Sequence, residues 1–213
     1  MADNKASSAK NSYHHGELPA VLMQLAVEEI AEKGTEQLSL RSLARKAGVS
    51  QTAPYRHFPT KTCLLAALAT QGFVDLRTRV QRVISSTKTI ETRFIEMGVT
   101  YVTFALENPV VYQLMFGGVV ADFSAYEDLR DASRSCYLEV RLCEKELIET
   151  KRLEFEPVHL GGAIWAGVHG IASLLLNMPP GESEDDYDPR QAVNVIRDNV
   201  EGTLRIMYGH LLD

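Results

Sequence analysis

The chain lacks the features that mark secreted and membrane-spanning proteins. Its 213 residues include only three cysteines, Cys63, Cys136 and Cys143. An odd number at scattered positions gives no disulfide framework and suits a reducing cytoplasm. No apolar run reaches the roughly 18–20 residues that span a bilayer, so we expect no membrane partner. The polar N-terminus has no apolar core of a secretory signal, and together these absences predict a cytoplasmic protein.

Motifs of catalysis and cofactor binding are also missing. The sequence has no glycine-rich phosphate loop, no Gly-x-Ser-x-Gly elbow and no Cys/His/Asp set with metal-ligand spacing. We therefore expect no enzyme activity, no cofactor and no metal. Cys136 and Cys143 lie on one predicted helix, about 10 Å apart along its axis, which is too far for a disulfide within that helix. A redox-sensing role for either thiol remains an alternative.

The charge of the chain is unevenly distributed. A formal net charge of −6 argues against nucleic acid as a partner. However, the segment from Ser39 to Lys61 contains five basic residues and no acidic one, and residues 1–61 together carry a net charge of +2. A local basic patch on an acidic protein still attracts phosphate. The distribution therefore favours double-stranded DNA as a partner of the N-terminal part.

Apolar residues recur at helical spacing along the chain, and no convincing strand pattern is present. The fold class is therefore predicted to be all-α. Gly34 ends a first helix, Ser39 caps a second, and a third continues to about Phe58. Further helices are expected over 61–84, 89–107, 109–117, 123–152, 157–177 and 189–211. We divide the chain into a disordered arm (1–12), a DNA-binding domain (13–62) and a helical ligand-binding and dimerisation domain (63–213), with an acidic loop at 179–189.

The N-terminal domain has the pattern of a helix-turn-helix, in which two short helices pack on a longer first helix. Gly48 can adopt the positive φ of the turn between the short helices. Pro54 lacks an N–H donor and disfavours α geometry at Ala53. We infer that the regular helix starts at Pro54, after a looser turn of residues 51–53. That arrangement leaves the backbone N–H groups and side chains of the turn free to face DNA.

The candidate DNA contacts follow from this placement. Gln51 and Thr52, at the tip of the reading helix, are candidates for base contacts. The other residues are candidates for phosphate contacts or caps at helix N-termini. The full set is Ser39, Arg41, Ser42, Ser50, Gln51, Thr52, Tyr55, Arg56, His57 and Lys61. A solvated basic face is the structural alternative for the charged members.

Residues 17–65 resemble the DNA-binding domain of the TetR/AcrR family of bacterial transcriptional regulators. The matching residues are Leu40-x-x-Leu43-Ala44-x-x-Ala47-Gly48-Val49-Ser50, Tyr55-Arg56-His57-Phe58 and Lys61-x-x-Leu64-Leu65. The resemblance implies phosphate contacts by Tyr55, His57 and Lys61, an obligate homodimer on a palindromic operator, and a separate effector-binding domain. Residues 13–18 also resemble a subset of that family. Contact of His14 and His15 with DNA, or capping of the first helix by Gly16, is favoured there over a metal site.

Two C-terminal segments, 108–116 and 162–170, resemble the ligand-binding module called the WHG domain. Aromatic and sulfur-containing residues cluster there, and such a lining with a few polar groups is typical of an apolar pocket. The candidate effector contacts are Phe94, Met97, Tyr101, Phe104, Tyr112, Met115, Phe116, Tyr137, Arg141, Trp165 and His169. Core packing is the alternative for the apolar members.

A stripe of small residues on the helix over 157–177 permits close approach of another helix. With apolar residues of the last helix it predicts a four-helix dimer interface, and packing within one chain is the alternative. The interface candidates are Gly162, Ala166, Gly170, Val193, Ile196, Val200 and Leu204.

Three functions are compatible with the sequence. The leading hypothesis is a ligand-responsive repressor that binds a palindromic operator as a dimer and is released by a small, largely apolar effector. The second is a DNA-binding dimer without a small-molecule effector, and the third is an enzyme or helical interaction protein with a coincidental helix-turn-helix. A well-formed apolar cavity between the middle helices favours the first hypothesis, and solid packing there favours the second.

Overall fold

The structure is a computed structural model that describes residues 17–181 and 188–212. Within these ranges the chain folds into helices and turns without strands, so the predicted all-α class is confirmed. The chain divides between Leu64 and Leu65 into two compact units. The predicted arm, the segment 13–16 and most of the acidic loop lie outside the described residues.

The first unit contains α1 (Leu18–Lys33), a 3-10 turn (Thr35–Gln37) and α2 (Leu40–Lys46), and it includes the beginning of α3 (Lys61–Ile84). Ser39 caps α2 as predicted, since its Oγ accepts a hydrogen bond from the Ser42 N–H at 3.1 Å. Gly48 has the expected positive φ, +68°. The core of this unit is built on side chains from α1 and α2 that are fully buried, among them Leu22, Ala26 and Leu43.

The predicted third helix is only one turn long. The 3-10 turn Pro54–Arg56 replaces a regular α-helix, while the expected start at Pro54 is confirmed. The Ala53 N–H bonds the Ser50 carbonyl at 3.0 Å, and the Pro54 carbonyl accepts from the Phe58 N–H at 2.9 Å. Proline removes the donor that would join the turn of residues 51–53 to the following helix. Pro59 then directly follows Phe58, so the chain has room for one turn only.

The second unit contains the remainder of α3 followed by α4 (Ile90–Glu107), α5 (Pro109–Phe116), α6 (Glu127–Lys151), α7 (Pro157–Asn177), α8 (Pro189–Asp198) and α9 (Val200–Tyr208). Helix α4 lies at its centre and packs against α6, α7 and α9. The single helix expected over 189–211 is two helices. They are separated at Asn199, whose side chain accepts from the Gly202 N–H at 2.8 Å and caps α9.

Helix α7 is long and apolar enough, by length and composition, to cross a membrane, so the expectation that no such run exists was wrong. Here it packs against α4, α6 and α8, as a helix of a folded bundle does. Yet only 39% of its most apolar stretch is buried within the chain. Much of the apolar surface of α7 is thus left uncovered by the rest of the described chain.

A buried carboxylate ties the two helices of the first unit together. Glu29 of α1 is 1% exposed. It accepts a hydrogen bond from Ser42 Oγ at 2.9 Å and pairs with Lys46 Nζ at 2.9 Å, and both partners belong to α2. Burial alone would raise the pKa of Glu29, but the hydrogen bonds and the positive charge of Lys46 outweigh burial and hold this pKa below its ordinary value. The carboxylate therefore fixes α2 on α1 while it is ionised.

We predict that Glu29→Gln lowers the free energy of unfolding by about 1–3 kcal/mol, the range for lost hydrogen bonds to a charged group. Because the folded-state pKa lies below 4.5, the stabilisation is present above pH 4.5 and is lost as the pH falls through the folded-state pKa. Urea unfolding of both proteins at pH 7 and pH 3 measures this difference. Glu28→Gln, on the exposed side of the same helix, is the matched control, and equal effects of the two substitutions would contradict the prediction.

Candidate DNA-contact surface and ligand cavity

The candidate DNA contacts lie in the first unit, mostly on exposed residues. Ser50, Gln51 and Thr52 form the exposed turn before Pro54, with Ser50 Oγ and Thr52 Oγ1 3.2 Å apart. Arg56 and His57 follow on the exposed side of the 3-10 turn. Hydrogen-bond donors and acceptors are thus presented at the tip of this turn, and a cation follows a few residues later.

Besides Ser50 and Thr52, which bond each other, three of the candidates have partners inside the unit. The Ser42 hydroxyl donates to Glu29 and its N–H donates to Ser39, so both groups hold α2 in place. Contact of Ser42 with phosphate stays a prediction. Ser39 accepts that bond with Oγ, and its hydroxyl proton remains available. Lys61 Nζ donates to the Glu36 carbonyl at 3.2 Å. An ammonium has three donors, so Lys61 keeps two for a phosphate.

The second unit contains a cavity of about 430 Å³ that is partly open to solvent. Its walls come from α3, α4, α5, α6, α7 and α9 together with the 3-10 turn at Phe123–Ala125. The lining is dominated by aliphatic and aromatic side chains, with few polar groups. The aromatic members are Phe73, Phe94, Tyr101, Phe116, Phe123, Tyr137, Trp165 and Tyr208. Such a volume and lining suit a small, mostly apolar molecule.

The structure brings seven of the eleven candidate effector contacts to the cavity wall: Phe94, Met97, Tyr101, Met115, Phe116, Tyr137 and Trp165. Four candidates do not line it. Phe104 is 1% exposed and packs under the Arg79 guanidinium, whose central carbon lies 5.4 Å from the ring centroid. Arg141 is held by Glu144 and by the Pro157 carbonyl. Tyr112 and His169 are hydrogen-bonded to the wall residue Tyr101 and are not themselves part of the wall.

A set of wall residues on α3 and α6 was not among the candidates predicted from the sequence. Phe73, Leu76 and Val80 follow helical spacing on α3, and Cys136, Val140 and Glu144 do so on α6. This periodicity was readable in the sequence. It identifies a buried face but cannot separate a filled core from a cavity. Burial raises the pKa of both the Cys136 and Cys143 thiols to about 11. Such thiols stay protonated near neutral pH, which argues against a redox role.

A polar cluster of three side chains adjoins the cavity. Tyr112 Oη lies 2.6 Å from His169 Nδ1, and Tyr101 Oη lies 3.1 Å from the same nitrogen. Burial raises the pKa of both tyrosines, and burial lowers the pKa of His169. The neutral forms of both tyrosines and of the histidine are therefore favoured. Nδ1 thus shares a hydrogen bond with each tyrosine hydroxyl, as acceptor or as donor according to which ring nitrogen carries the proton.

The candidate interface residues divide into two groups. On α7, Gly162 and Ala166 are exposed, and a Cβ added at Gly162 or Gly170 would meet no atom within 4 Å. Val193 and Leu204 are 4% and 1% exposed, as the alternative of packing within one chain predicts. Ile196 and Val200 are half-buried.

Other apolar side chains remain exposed near this surface. On α7 and α9 they include Val158, Trp165, Leu174 and Ile206, with Val158 70% and Ile206 86% exposed. We call the outward side of α7, from Val158 to Leu174, the α7 face.

Comparison with known proteins identifies two matching families. The sequence pattern described as "Bacterial regulatory proteins, tetR family" matches residues 22–68, and that described as "Tetracyclin repressor-like, C-terminal domain" matches residues 94–195. The nucleoid occlusion factor SlmA of Photobacterium profundum is 27% identical over 117 residues, which cover 55% of this chain and 56% of SlmA. SlmA of Salmonella newport is 29% identical over 97 residues, 46% of this chain and 49% of that protein. The chain thus spans about half the length of the curated relatives it matches.

Solved structures with the same fold cover nearly the whole chain. A protein of unknown function from Rhodococcus sp. RHA1 superposes with a TM-score of 0.70 at 28% identity, covering 91% of this chain and 98% of the other. The regulator FadR from Bacillus subtilis, solved with stearoyl-CoA, gives a TM-score of 0.64 at 15% identity, covering 84% and 96%. The second likeness shows the fold alone.

We predict that His169 makes the protein lose stability as the pH falls below 6.5. Its folded-state pKa is depressed by burial, so the unfolded chain takes up the proton first. The free energy of unfolding should therefore decrease as the pH falls from 7 through the folded-state pKa. Urea unfolding at pH 7.5 and 5.5 should show a larger acid loss for the native sequence than for His169→Gln. The exposed His159→Gln is the control, and an acid loss that persists in His169→Gln would refute the assignment.

Proposed function

The chain belongs to the TetR family of bacterial regulatory proteins, and from that premise we propose that it is a cytoplasmic repressor that a small, largely apolar effector releases from its operator. It is a transcriptional regulator with a DNA-binding domain, and its family and fold are those of regulators and not of enzymes. The repressor role, the homodimer, the palindromic operator and the effector are the proposed parts.

The observation that carries the proposal is the cavity of about 430 Å³ in the second unit. A DNA-binding dimer without an effector has no need of such a space, because an unfilled apolar cavity costs stability. FadR of Bacillus subtilis, which shares the fold, was solved with stearoyl-CoA. The stearoyl chain of that ligand supports an effector with a long apolar part.

Helix α3 contains both a candidate DNA contact and residues of the cavity wall, so a ligand-induced shift of this helix would affect DNA binding. Lys61, a candidate phosphate contact, is its first residue, and Phe73, Leu76 and Val80 further along the same helix line the cavity. A ligand that displaces these three side chains acts on the helix that begins with Lys61. A DNase footprint of the protein on the DNA upstream of its own gene tests the function, and the absence of any protected, palindromic site would refute it.

We predict that Gln51→Ala and Arg56→Ala weaken DNA binding in different ways. Gln51 is proposed to contact a base, and its loss should cost about 1–3 kcal/mol on the operator and relax the selected sequence. Arg56 is proposed to contact phosphate, so its loss should weaken operator and scrambled DNA alike and reduce the salt slope by about one. Fluorescence anisotropy on both DNAs at several salt concentrations measures these effects.

Lys145→Ala is the matched control for the lost charge, since Lys145 is an exposed residue of α6 in the other unit. It should leave both affinities unchanged. If Gln51→Ala weakened both DNAs equally, or Arg56→Ala only the operator, the assigned roles would be wrong.

The α7 face is proposed as the centre of the homodimer interface. It combines exposed small residues, Gly162 and Ala166, with exposed apolar side chains such as Val158. Several exposed apolar side chains along one side of a helix favour a protein partner at that surface. A second copy of the chain is the occupant that the two-fold symmetry of a palindromic operator requires.

We predict that Gly170→Leu dissociates the dimer and leaves a folded monomer. No atom lies within 4 Å of a Cβ added at Gly170, so the larger side chain fits within the subunit. Across the interface it should cost about 1–3 kcal/mol per site by overpacking. Sedimentation velocity and circular dichroism measure the two properties.

Gly167→Leu is the matched control on the same helix. A Cβ at Gly167 would come within 3.0 Å of Met207 Cε and closer still to the Tyr208 hydroxyl, so this substitution should unfold the subunit. A Gly170→Leu protein that remains dimeric would place the interface elsewhere.

A further inference from the structure

The cavity contains one buried acid, Glu144 of α6. Its side chain is 2% exposed and lines a wall that is otherwise mostly aliphatic and aromatic. Glu144 Oε2 accepts a hydrogen bond from Arg141 Nη1 at 2.5 Å. The same Arg141 nitrogen donates to the Pro157 carbonyl at 2.7 Å. The arginine is thereby fixed between α6 and the start of α7, and it neutralises one side of the carboxylate.

The pair packs directly on the backbone of α7. A Cβ added at Gly161 would lie 2.7 Å from both Arg141 Nη1 and Glu144 Oε2, distances that real side chains do not reach. Glycine at 161 is therefore what lets the carboxylate lie beside α7 at this depth.

The carboxylate has unused acceptor capacity. An ionised carboxylate offers about four lone-pair positions. Among the described residues, the hydrogen bond to Glu144 comes from Arg141 and goes to Oε2, which leaves Oε1 without a described donor. Burial raises the pKa of Glu144, while the charge and hydrogen bond of Arg141 act in the opposite direction. The pKa of Glu144 is raised overall, because Arg141 does not fully compensate the burial of its negative charge. Glu144 lines a space large enough for a ligand, and a cation there would favour the ionised carboxylate.

We propose that the effector is an apolar molecule bearing a protonated amine, and that Glu144 Oε1 accepts the hydrogen bond of that amine inside the cavity. The inference rests on the proposed function, because it assigns the chemistry of the same effector site. A carboxylate only accepts, so its ligand must donate, and a cation adds the charge that Arg141 alone supplies now. The ring faces of the cavity wall are favourable surroundings for a cation as well as for an apolar body.

Arg134 is the alternative anchor, that is, the other side chain that could bind the head group of the effector. It also lines the cavity, it is exposed, and no ion pair is described for it. An anionic effector would place its head group there, where the cavity meets solvent. The buried position favours Glu144, because an incompletely bonded group costs more free energy inside the protein than at its surface. The two anchors predict opposite charges on the ligand.

The cavity has an intrinsic fluorescent probe. Trp165 is the single tryptophan in the sequence, and it lines the cavity wall. Its fluorescence can be followed while the full-length protein is titrated with decylamine, 1-decanol and decanoate, each below its micelle-forming concentration. The three probes share one apolar chain and differ in the head group. Release of fluorescently labelled operator DNA is recorded in the same samples.

We expect decylamine to bind at least about tenfold more tightly than 1-decanol, the ratio set by one charge-assisted hydrogen bond. Glu144→Gln should remove this preference while leaving the affinity for decanol within about twofold. Glu149→Gln, on the exposed side of α6, is the matched control and should keep the preference. Because Glu144→Gln leaves Arg141 without its partner, the double variant Glu144→Gln/Arg141→Gln is measured too, with circular dichroism as the check of folding.

Each other outcome overturns the proposal in a distinguishable way. If decanol binds as tightly as decylamine, or if decanoate binds best and loses affinity in Arg134→Gln, the cavity is an effector site but the amine class is wrong. If decylamine binds tightly and both Glu144 variants keep its preference, Glu144 is not the anchor. If no probe changes the fluorescence or releases DNA, the proposed effector site fails together with the amine.

Discussion

The architecture of the second unit depends on the packing of helix α4, which has to fit against three other helices at the same time. It packs against α6, α7 and α9, and α9 approaches it most closely at Gly98, where a Cβ would lie 2.9 Å from a Leu204 methyl. A second close approach joins α9 to α7 through Gly167 and Tyr208, whose hydroxyl donates to the Ile164 carbonyl at 3.1 Å. These contacts hold α9 on two helices and leave space on the side of α4 that faces α3 and α6.

Aromatic rings in edge-to-face contact form part of the walls of that space. Phe73 meets Phe116 and Phe123 edge to face, with ring centroids 5.5 and 6.0 Å apart, and Phe94 meets Tyr208 in the same way at 6.0 Å. Edge-to-face contact is a favoured arrangement of aromatic rings, and it fixes the orientation of these side chains in the wall. Few polar groups line the cavity, and among them Glu144 is only 2% exposed.

The glycines of α7 serve two opposite purposes. Gly161 and Gly167 face inward, where the Glu144–Arg141 pair and Tyr208 occupy the volume of a side chain. Gly162 and Gly170 face outward into open space within the subunit. One helix thus contributes both to the wall of the ligand cavity and to the surface proposed for dimerisation. Trp165 lies on both, since it lines the cavity and is 51% exposed.

The sequence alone determined the features that depend on local chemistry. The Ser39 cap, the positive φ of Gly48, the helix start at Pro54 and the bounds of α7 follow from residues within a few positions of each feature. The helix-turn-helix and its family followed from a contiguous motif. Features that depend on distant partners were decided by the tertiary structure.

Periodicity identified Phe104 and Phe94 equally as buried, yet only the packing of α4 against its neighbours puts Phe94 on the cavity wall and Phe104 under Arg79. Glu144 and Glu29 look like ordinary helix-surface acids in the sequence, because burial depends on helices that pack on them from elsewhere in the chain. A sequence pattern reports which face of a helix is apolar, but the space between two such faces exists only once the helices are packed.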